Sequence, residues 1–287
     1  MIYTLHIGLS YKCNLKCKHC FVDIDEDKMT VERCLNIIDN LKSEGLFVVV
    51  YTYGEPLLWP HFFELVKQVK KRNIVQVLMT NGTVIDKIIA KKIKSSGINK
   101  VYVSIDSARE HKHDMNRGMR GAFDKTMLAL ELLSEIGMKT GIATTVTEDN
   151  CNELDDIYKI LKKYDLDEIS FLRERCNGGV ANFPEKLYFV FFKKHIAEVG
   201  QKITFHDASL NKIIYEIYND GYISEEKKDM LIDMNRCKND YTLCVYPNGE
   251  MSKCNFSRKL KCNCFDIDIA EYIRSDEFKN ENSICYT

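Results

Sequence analysis

The sequence predicts an α/β fold: a partial (β/α)6 barrel of the TIM type, followed by a small C-terminal extension made of a hairpin and a helix. Three observations carry this. Six short apolar runs alternate with segments of helical period over the first two-thirds of the chain. The alternation stops after residue 183. Six of the twelve cysteines then crowd between Cys237 and Cys285.

The elements follow in order. Residues 3–10 and 46–52 are β-rich, and between them Val31, Cys34, Leu35, Ile38 and Leu41 fall at helical spacing. Thr30 can cap that helix and Gly45 can close it. Pro60 suits a first helical turn, with Phe63, Val66 and Val69 on one face. Residues 74–79 are a strand, 85–95 a lysine-rich helix ending at Gly97, and 100–105 a strand. A helix at 122–136, a strand at 139–146, a helix at 152–163 and a strand at 168–172 complete six units. Short apolar strands joined by helical crossovers imply a parallel sheet, and ligands of such barrels bind where the strands end. Beyond it, helices are expected at 184–198, 209–219 and 225–235, then a hairpin turning at Asn248-Gly249, then a helix at 268–278. Three regions result: 1–183, a helical connection at 184–235, and a cysteine-rich module at 236–287.

Lys plus Arg number 41 and Asp plus Glu 42, a net charge of −1, so nothing marks a nucleic-acid or anionic-membrane surface. No apolar run approaches the roughly 18 residues of a membrane span. The start, Met1–Ile7, lacks the features of a signal peptide. A cytoplasmic chain is expected, and there cysteines serve as metal ligands or catalytic groups more often than as disulfides.

Directly after the first strand comes Cys13-Asn14-Leu15-Lys16-Cys17-Lys18-His19-Cys20. Three thiolates in a polar loop can converge on one metal centre if the loop wraps around it. Buried core cysteines and a zinc knuckle with a fourth ligand are the alternatives. After the second strand stands Tyr53-Gly54-Glu55-Pro56, where glycine permits close backbone approach and a carboxylate can accept from an ammonium group. The third strand ends in Thr80-Asn81-Gly82-Thr83 and the fourth in Ser104-Ile105-Asp106-Ser107. Asn-Gly can equally be a plain turn, and Ser-Ile-Asp a helix entry.

Cys-x3-Cys-x2-Cys after the first strand of a partial barrel resembles the radical S-adenosylmethionine (SAM) superfamily, and the likeness covers nearly the whole chain. It implies that Cys13, Cys17 and Cys20 hold a 4Fe–4S cluster whose fourth iron is chelated by SAM. Reductive cleavage would then give a 5′-deoxyadenosyl radical that abstracts hydrogen from a substrate, with electrons from a reductase such as flavodoxin or ferredoxin. Gly54 and Glu55 look like the family's Gly-Gly-Glu-Pro motif for the methionyl amino group, with Tyr53 replacing the first glycine. The Tyr-Gly-Glu-Pro variant resembles that of an aminoglycoside-pathway dehydrogenase. Asn81, Ser104 and Asp106 would meet SAM. Arg117 would pair with its carboxylate, and Phe21 and Leu172 would border the adenine.

In the tail, Cys237-x11-Gly249-x4-Cys254 resembles the opening of a SPASM or twitch extension. This implies one auxiliary 4Fe–4S cluster on Cys237, Cys254, Cys285 and a fourth thiolate. Cys264 is the expected fourth, with Cys262 and Cys244 as alternates and a zinc site as the other reading. Cys34 reads as core and Cys151 as the start of a helix. Cys176 follows the sixth strand and could donate a hydrogen atom, as in radical epimerases. The resemblance implies modification of a peptide or protein side chain by oxidation, crosslinking or epimerisation. With Cys13 so near the start, a leader-binding function is expected on a separate protein. The alternatives are a dehydrogenase or epimerase of a small molecule such as an aminocyclitol, and, remotely, a non-catalytic electron carrier.

Overall fold

Apolar alternation places β1 (Thr4–Gly8) first, followed by the cysteine loop and α1 (Val31–Ser43). In this computed structural model residues 1–20, 22, 25–176, 179–180, 185–206, 210–235, 241–254 and 259–280 are described. The next units are β2 (Val48–Thr52), a 3-10 turn at Pro56–Leu58, α2 (Phe62–Lys70), β3 (Val75–Thr80), α3 (Lys87–Ser96) and β4 (Lys100–Ser104). Then come α4 (Glu110–Arg117), α5 (Ala122–Glu135), β5 (Thr140–Val146), α6 (Leu154–Lys163) and β6 (Glu168–Arg173). A two-strand hairpin, β7 (Arg175–Cys176) and β8 (Gly179–Val180), leads to α7 (Glu185–Lys194), β9 (Ile203–His206), α8 (Leu210–Asn219) and α9 (Glu225–Asn235). The tail holds β10 (Thr242–Val245), β11 (Glu250–Ser252), β12 (Lys259–Asn263), α10 (Ile269–Arg274) and α11 (Asp276–Asn280).

Local chemistry sets the helix ends. The Thr30 hydroxyl accepts from Arg33 N at 3.2 Å, and Gly45, just past the Glu44 C-cap of α1, has φ +97°. The Asp86 carboxylate accepts from Ile89 N at 2.7 Å, and Gly97 closes α3. Pro60 falls just outside its helix. Its neighbour His61 is the N-cap, and α2 begins at Phe62.

The strands form one open ten-stranded sheet in the order β12-β11-β10-β1-β2-β3-β4-β5-β6-β9. From β10 to β9 every pair is parallel, and β10–β11 and β11–β12 are antiparallel. The partial barrel is therefore borne out, with two additions. The connection expected to be wholly helical contributes β9, which pairs with β6 at Ile169↔Ile203. The tail hairpin joins the same sheet, with β10 beside β1 in the register His6↔Cys244. The helix expected at 268–278 is broken into two at Ser275.

Side chains alternate across the sheet. Leu5, Ile7, Val49, Tyr51, Leu78, Val101 and Val103 face the helices and are fully buried with Ile37, Ile38 and Leu41 of α1. His6, Met79, Tyr102 and Ser104 point to the open face and are half-buried. No helix among the described residues is long and apolar enough to cross a membrane.

Candidate functional site

The cysteine loop leaves β1 and is held at three points. Ser10 Oγ and Tyr11 N donate to the Asp27 carboxylate at 2.5 and 2.6 Å. Glu55 N donates to Lys12 O at 2.9 Å. Lys16 N and Lys18 N donate to the carbonyls of Arg117 and Asn116 at 3.2 and 2.9 Å, tying the loop to the end of α4. Cys13 and Cys20 are left exposed and Cys17 half-buried, and the thiols sense one another's charge.

The strand ends that face this loop carry the expected polar residues. Asn81 Nδ2 donates to Asn14 Oδ1 at 3.0 Å and lies 3.9 Å from Cys13 Sγ. Asn14 Nδ2 in turn donates to Thr83 Oγ1 at 2.7 Å. Arg117 Nη1 reaches Cys17 Sγ at 3.7 Å. Burial pushes the Cys13 and Cys17 thiols up, and at Cys17 the Arg117 guanidinium opposes it. Ser104 is half-buried at the end of β4, in register with Ala143. Leu172 is half-buried on β6, beside Thr145 of β5.

Asp106 is the hub. Its Oδ2 lies 2.7 Å from Arg117 Nε and 3.5 Å from His19 Nε2, and its Oδ1 accepts from Thr145 N at 3.2 Å. Burial alone would raise this carboxyl, yet Arg117, followed by His19 and His113, holds it below its ordinary value. Burial lowers the pKa of His19, so its contact is that of a neutral imidazole. The Arg117–Asp106 approach lacks the angle of a hydrogen bond, leaving both buried atoms without such a partner. The two side chains thus stand as a buried ion pair at the strand ends.

Glu55 has a different placement from the one expected. The sequence reading aims its carboxylate at an ammonium group. In the fold it is 1% exposed and turned into protein. Oε1 accepts from Thr80 Oγ1 at 2.8 Å and Leu57 N at 3.2 Å, and Oε2 accepts from Asn81 N at 2.8 Å. It clamps the ends of β2 and β3 together. Burial raises its pKa to about 7, with those donors opposing the rise. Gly54 serves packing as well: a Cβ there would stand 2.5 Å from both Lys12 O and Ser10 O, with φ at +52°.

At Tyr53 the sequence signals only a change of backbone shape, and the structure gives the side chain neighbours. Its ring centroid is 4.7 Å from that of Tyr246, and burial, followed by the nearby Cys244 and Tyr246, holds its phenol well above the ordinary value. The only advance signal is a bulky residue at a glycine position.

In the tail, Cys244 is fully buried on β10 and interacts with Cys254. Cys264 is the expected fourth ligand. It is buried in the core, within the fields of Cys34 and Arg33 of α1, and Cys262 is beside it. The reason is the register: Cys244 shares a sheet face with His6, whereas Cys264 packs on the helix side. Cys34 is core, as expected, and Cys151 is buried in the turn before α6. Phe21, Cys237 and Cys285 lie outside the described residues. Cys176 lies in β7, in the register Cys176↔Gly179.

Among the described residues no three Cys, His, Asp or Glu side chains stand close enough together to hold one metal ion, so the fit to a cluster rests on the donor chemistry of the cysteine loop. Three unbridged thiols project from one loop, with an arginine and an asparagine amide directed at two of the sulfurs. His19, the only imidazole in that loop, lies 3.5 Å from Asp106 Oδ2 through Nε2.

Comparison with known proteins agrees. The chain is 35% identical over 168 residues to Fe-coproporphyrin III synthase of Methanosarcina barkeri, covering 57% of this chain and 42% of that protein. Mycofactocin maturase MftC of Mycobacterium ulcerans is 27% identical over 257 residues, covering 87% of this chain and 67% of that protein. Streptococcus suis SuiB superposes with a TM-score of 0.75 at 18% identity, over 96% of this chain and 66% of that one. AnSMEcpe with bound AdoMet superposes with a TM-score of 0.70 at 22% identity, over 99% of this chain and 84% of that one. At these identities the two structures speak for the fold alone. The family model described as Radical SAM superfamily matches residues 7–169, more than half of the sequence, and the chain belongs to that superfamily.

Proposed function

We propose that this chain is a radical SAM enzyme that modifies a peptide or protein side chain and carries one auxiliary cluster in its tail. The observation that supports it most is the placement of Cys13, Cys17 and Cys20 against the β2, β3 and β4 ends, with the cysteine hairpin built onto the same sheet. When bound, the cluster and SAM together supply one-electron cleavage of SAM and hydrogen-atom abstraction from the substrate.

The chain's own residues do the rest. Cys13, Cys17 and Cys20 ligate the iron. Arg117 lowers the cost of thiolate charge at Cys17 and offers its remaining donors to the SAM carboxylate. Gly54 sets the backbone carbonyls around the methionyl amino group, and Glu55 acts as a positioning residue that keeps β2 and β3 in register there. Asn81, Ser104 and Asp106 lie at the ends where the rest of SAM is bound, and Phe21 and Leu172 flank the adenine. In the tail, Cys244 takes the fourth place in the auxiliary set with Cys237, Cys254 and Cys285, instead of Cys264. Cys176 remains a candidate hydrogen donor for a redox-neutral outcome.

The peptide reading draws on the maturase named above, and on neighbours whose structures hold a precursor peptide or a cysteine-containing peptide. A small-molecule substrate is the second reading. It draws on the relatives named Fe-coproporphyrin III synthase and AdoMet-dependent heme synthase. The test begins with anaerobic reconstitution. About eight irons per chain are expected, four for each cluster. Replacing Cys13, Cys17 and Cys20 by Ala together leaves about four irons and abolishes 5′-deoxyadenosine formation. Continued formation in that variant refutes the site. Short peptides encoded beside the gene are then added to the reduced enzyme. Loss of two hydrogens marks oxidation or crosslinking, and uptake of solvent deuterium marks epimerisation. Turnover with a tetrapyrrole and not with any such peptide replaces the first reading by the second.

A further inference from the structure

The surface around the cysteine loop has a distinct make-up. Cys13 and Cys20 are exposed, and Lys12, Lys16 and Lys18 stand exposed beside them. The loop is seated between two further segments. On one side Asn14 Nδ2 donates to Thr83 Oγ1 at 2.7 Å. This brings up the turn into α3, where Lys87 is exposed and Ile88 is 65% exposed. On the other side Lys16 N and Lys18 N donate to the carbonyls of Arg117 and Asn116, and a Cβ on Gly118 would stand 3.2 Å from the Lys16 Cβ. This brings up the end of α4, where Met115 is 45% exposed and Arg120 is exposed.

Lys12, Lys16, Lys18, Lys87 and Arg120 thus surround the loop, and none of them forms an ion pair among the described residues. Residues 12–20 hold no carboxylate. Those of the adjoining segments serve the backbone: Asp86 accepts from Ile89 N, and Asp114 from Gly121 N and Phe123 N at 2.5 and 2.8 Å. The whole chain carries a net charge of −1, so this concentration of positive charge is local.

We propose that this face is the docking surface for a small acidic one-electron carrier protein of the flavodoxin or ferredoxin class. Ile88 and Met115 are the apolar contacts, and the five cations form the rim. The inference rests on the reading above that Cys13, Cys17 and Cys20 hold a cluster that must be reduced before SAM is cleaved. One electron leaves the carrier, which is oxidised, and the cluster is reduced by that one electron; no proton or group moves. Redox encounters use small interfaces, in which charge complementarity raises the association rate. An apolar centre within a polar rim is the usual anatomy of such a contact.

The experiment uses the anaerobically reconstituted full chain with a flavodoxin as probe. Calorimetry measures binding of oxidised flavodoxin, and stopped-flow absorbance follows cluster reduction by reduced flavodoxin. The double variant Lys87→Glu, Arg120→Glu is expected to bind and react about tenfold more weakly at low salt. The gap narrows at about 0.5 M salt, where exposed charges are screened. Lys67→Glu with Lys71→Glu makes the same change in net charge at α2, whose last residues lead to the start of β3 and so lie far from the strand ends. That double is expected to stay close to wild type. No loss in the first double, or an equal loss in both, overturns the inference. Lost binding of an oligoglutamate peptide with flavodoxin binding intact reassigns the face to an acidic peptide and overturns it as well. Dithionite separates the reading beneath: 5′-deoxyadenosine formation driven by it is expected to be unchanged in the first double. Wild-type protein that forms none with dithionite overturns the reading of the loop, and the inference with it.

Discussion

Replacing Glu55 by Gln gives a pH-dependent change in stability whose sign and size follow from one buried carboxyl. Burial raises its pKa from 4.5 to about 7. A group whose native pKa is raised binds more protons folded than unfolded. Stability is therefore fully retained below pH 4.5 and falls as pH rises, levelling off above the native value. At 1.36 kcal/mol per unit, the titration removes about 2.5 kcal/mol from the wild type between pH 5 and pH 8. Gln cannot ionise, so Glu55→Gln gains that much relative to wild type over the same interval. The absolute profile of the wild type is not diagnostic. Burial also holds His113 down to about 4, and a lowered histidine makes stability rise with pH between there and its ordinary 6.5. That contribution is common to both proteins and cancels in the difference.

The assay is urea unfolding followed by the fluorescence of Trp59. It is the single tryptophan of the chain, 8% exposed, and its backbone N–H donates to Pro56 O at 3.1 Å in the turn that Glu55 caps. At pH 5 the variant is expected within about 1 to 3 kcal/mol of wild type, the loss coming from an amide NH2 that faces donors. A difference between the two proteins that stays flat from pH 5 to pH 8, or that moves against the variant, would refute the reasoning.

Two further changes test the same frame. Gly54→Ala places a Cβ against two backbone carbonyls at positive φ and is expected to cost about 2 to 5 kcal/mol, read as a lowered urea midpoint. A stability within about 0.5 kcal/mol of wild type removes the packing role assigned to this glycine. Asp106→Asn leaves the buried Arg117 without its countercharge and is expected to cost about 3 to 5 kcal/mol. The double replacement of both partners by apolar residues is expected to cost less than the single one, and an additive result in that double-mutant cycle argues against the pair.

What the sequence made legible was local. Thr30, Gly45, Asp86 and Gly97 punctuate helices by side-chain and backbone chemistry that a few residues suffice to express. The residues just after strands, Gly54, Asn81 and Asp106, could be placed because parallel βα units put their ligands there. The partnerships of those residues were not legible. Glu55 meets Thr80 and Asn81, and Asp106 meets Arg117 and His19, only once β1 to β5 are side by side. Ile203, Thr204 and Phe205 favour a strand, but a run of four is too short to stand out between helices, and it pairs because β6 offers an edge. The choice between Cys244 and Cys264 is of the same kind. Side-chain direction along a strand has period two, so which face a cysteine takes depends on register with a partner more than two hundred positions away.

That register also explains how one chain keeps two sulfur-rich sites in fixed relation. The tail does not fold as a separate lobe; β10 extends the sheet beside β1, with Leu5↔Leu243 on the helix face and His6↔Cys244 on the open face. A slip by one residue would carry Cys244 into the core and Leu243 onto the open face, so the burial of Leu243 and Val245 defends the position of the thiol. The turn is fixed as firmly. Gly249 has φ +88°, and a Cβ on it would lie 2.3 Å from the Asn263 side chain, while Gly249 N donates to Tyr246 O at 2.9 Å. The hairpin thus returns to one side, bringing Ser252 opposite Cys244 in the antiparallel register. Tyr246, just beyond β10, then presents its ring to Tyr53 at the end of β2. The cysteine loop and the tail hairpin are consequently joined through the paired strands β2, β1 and β10 and one buried aromatic contact.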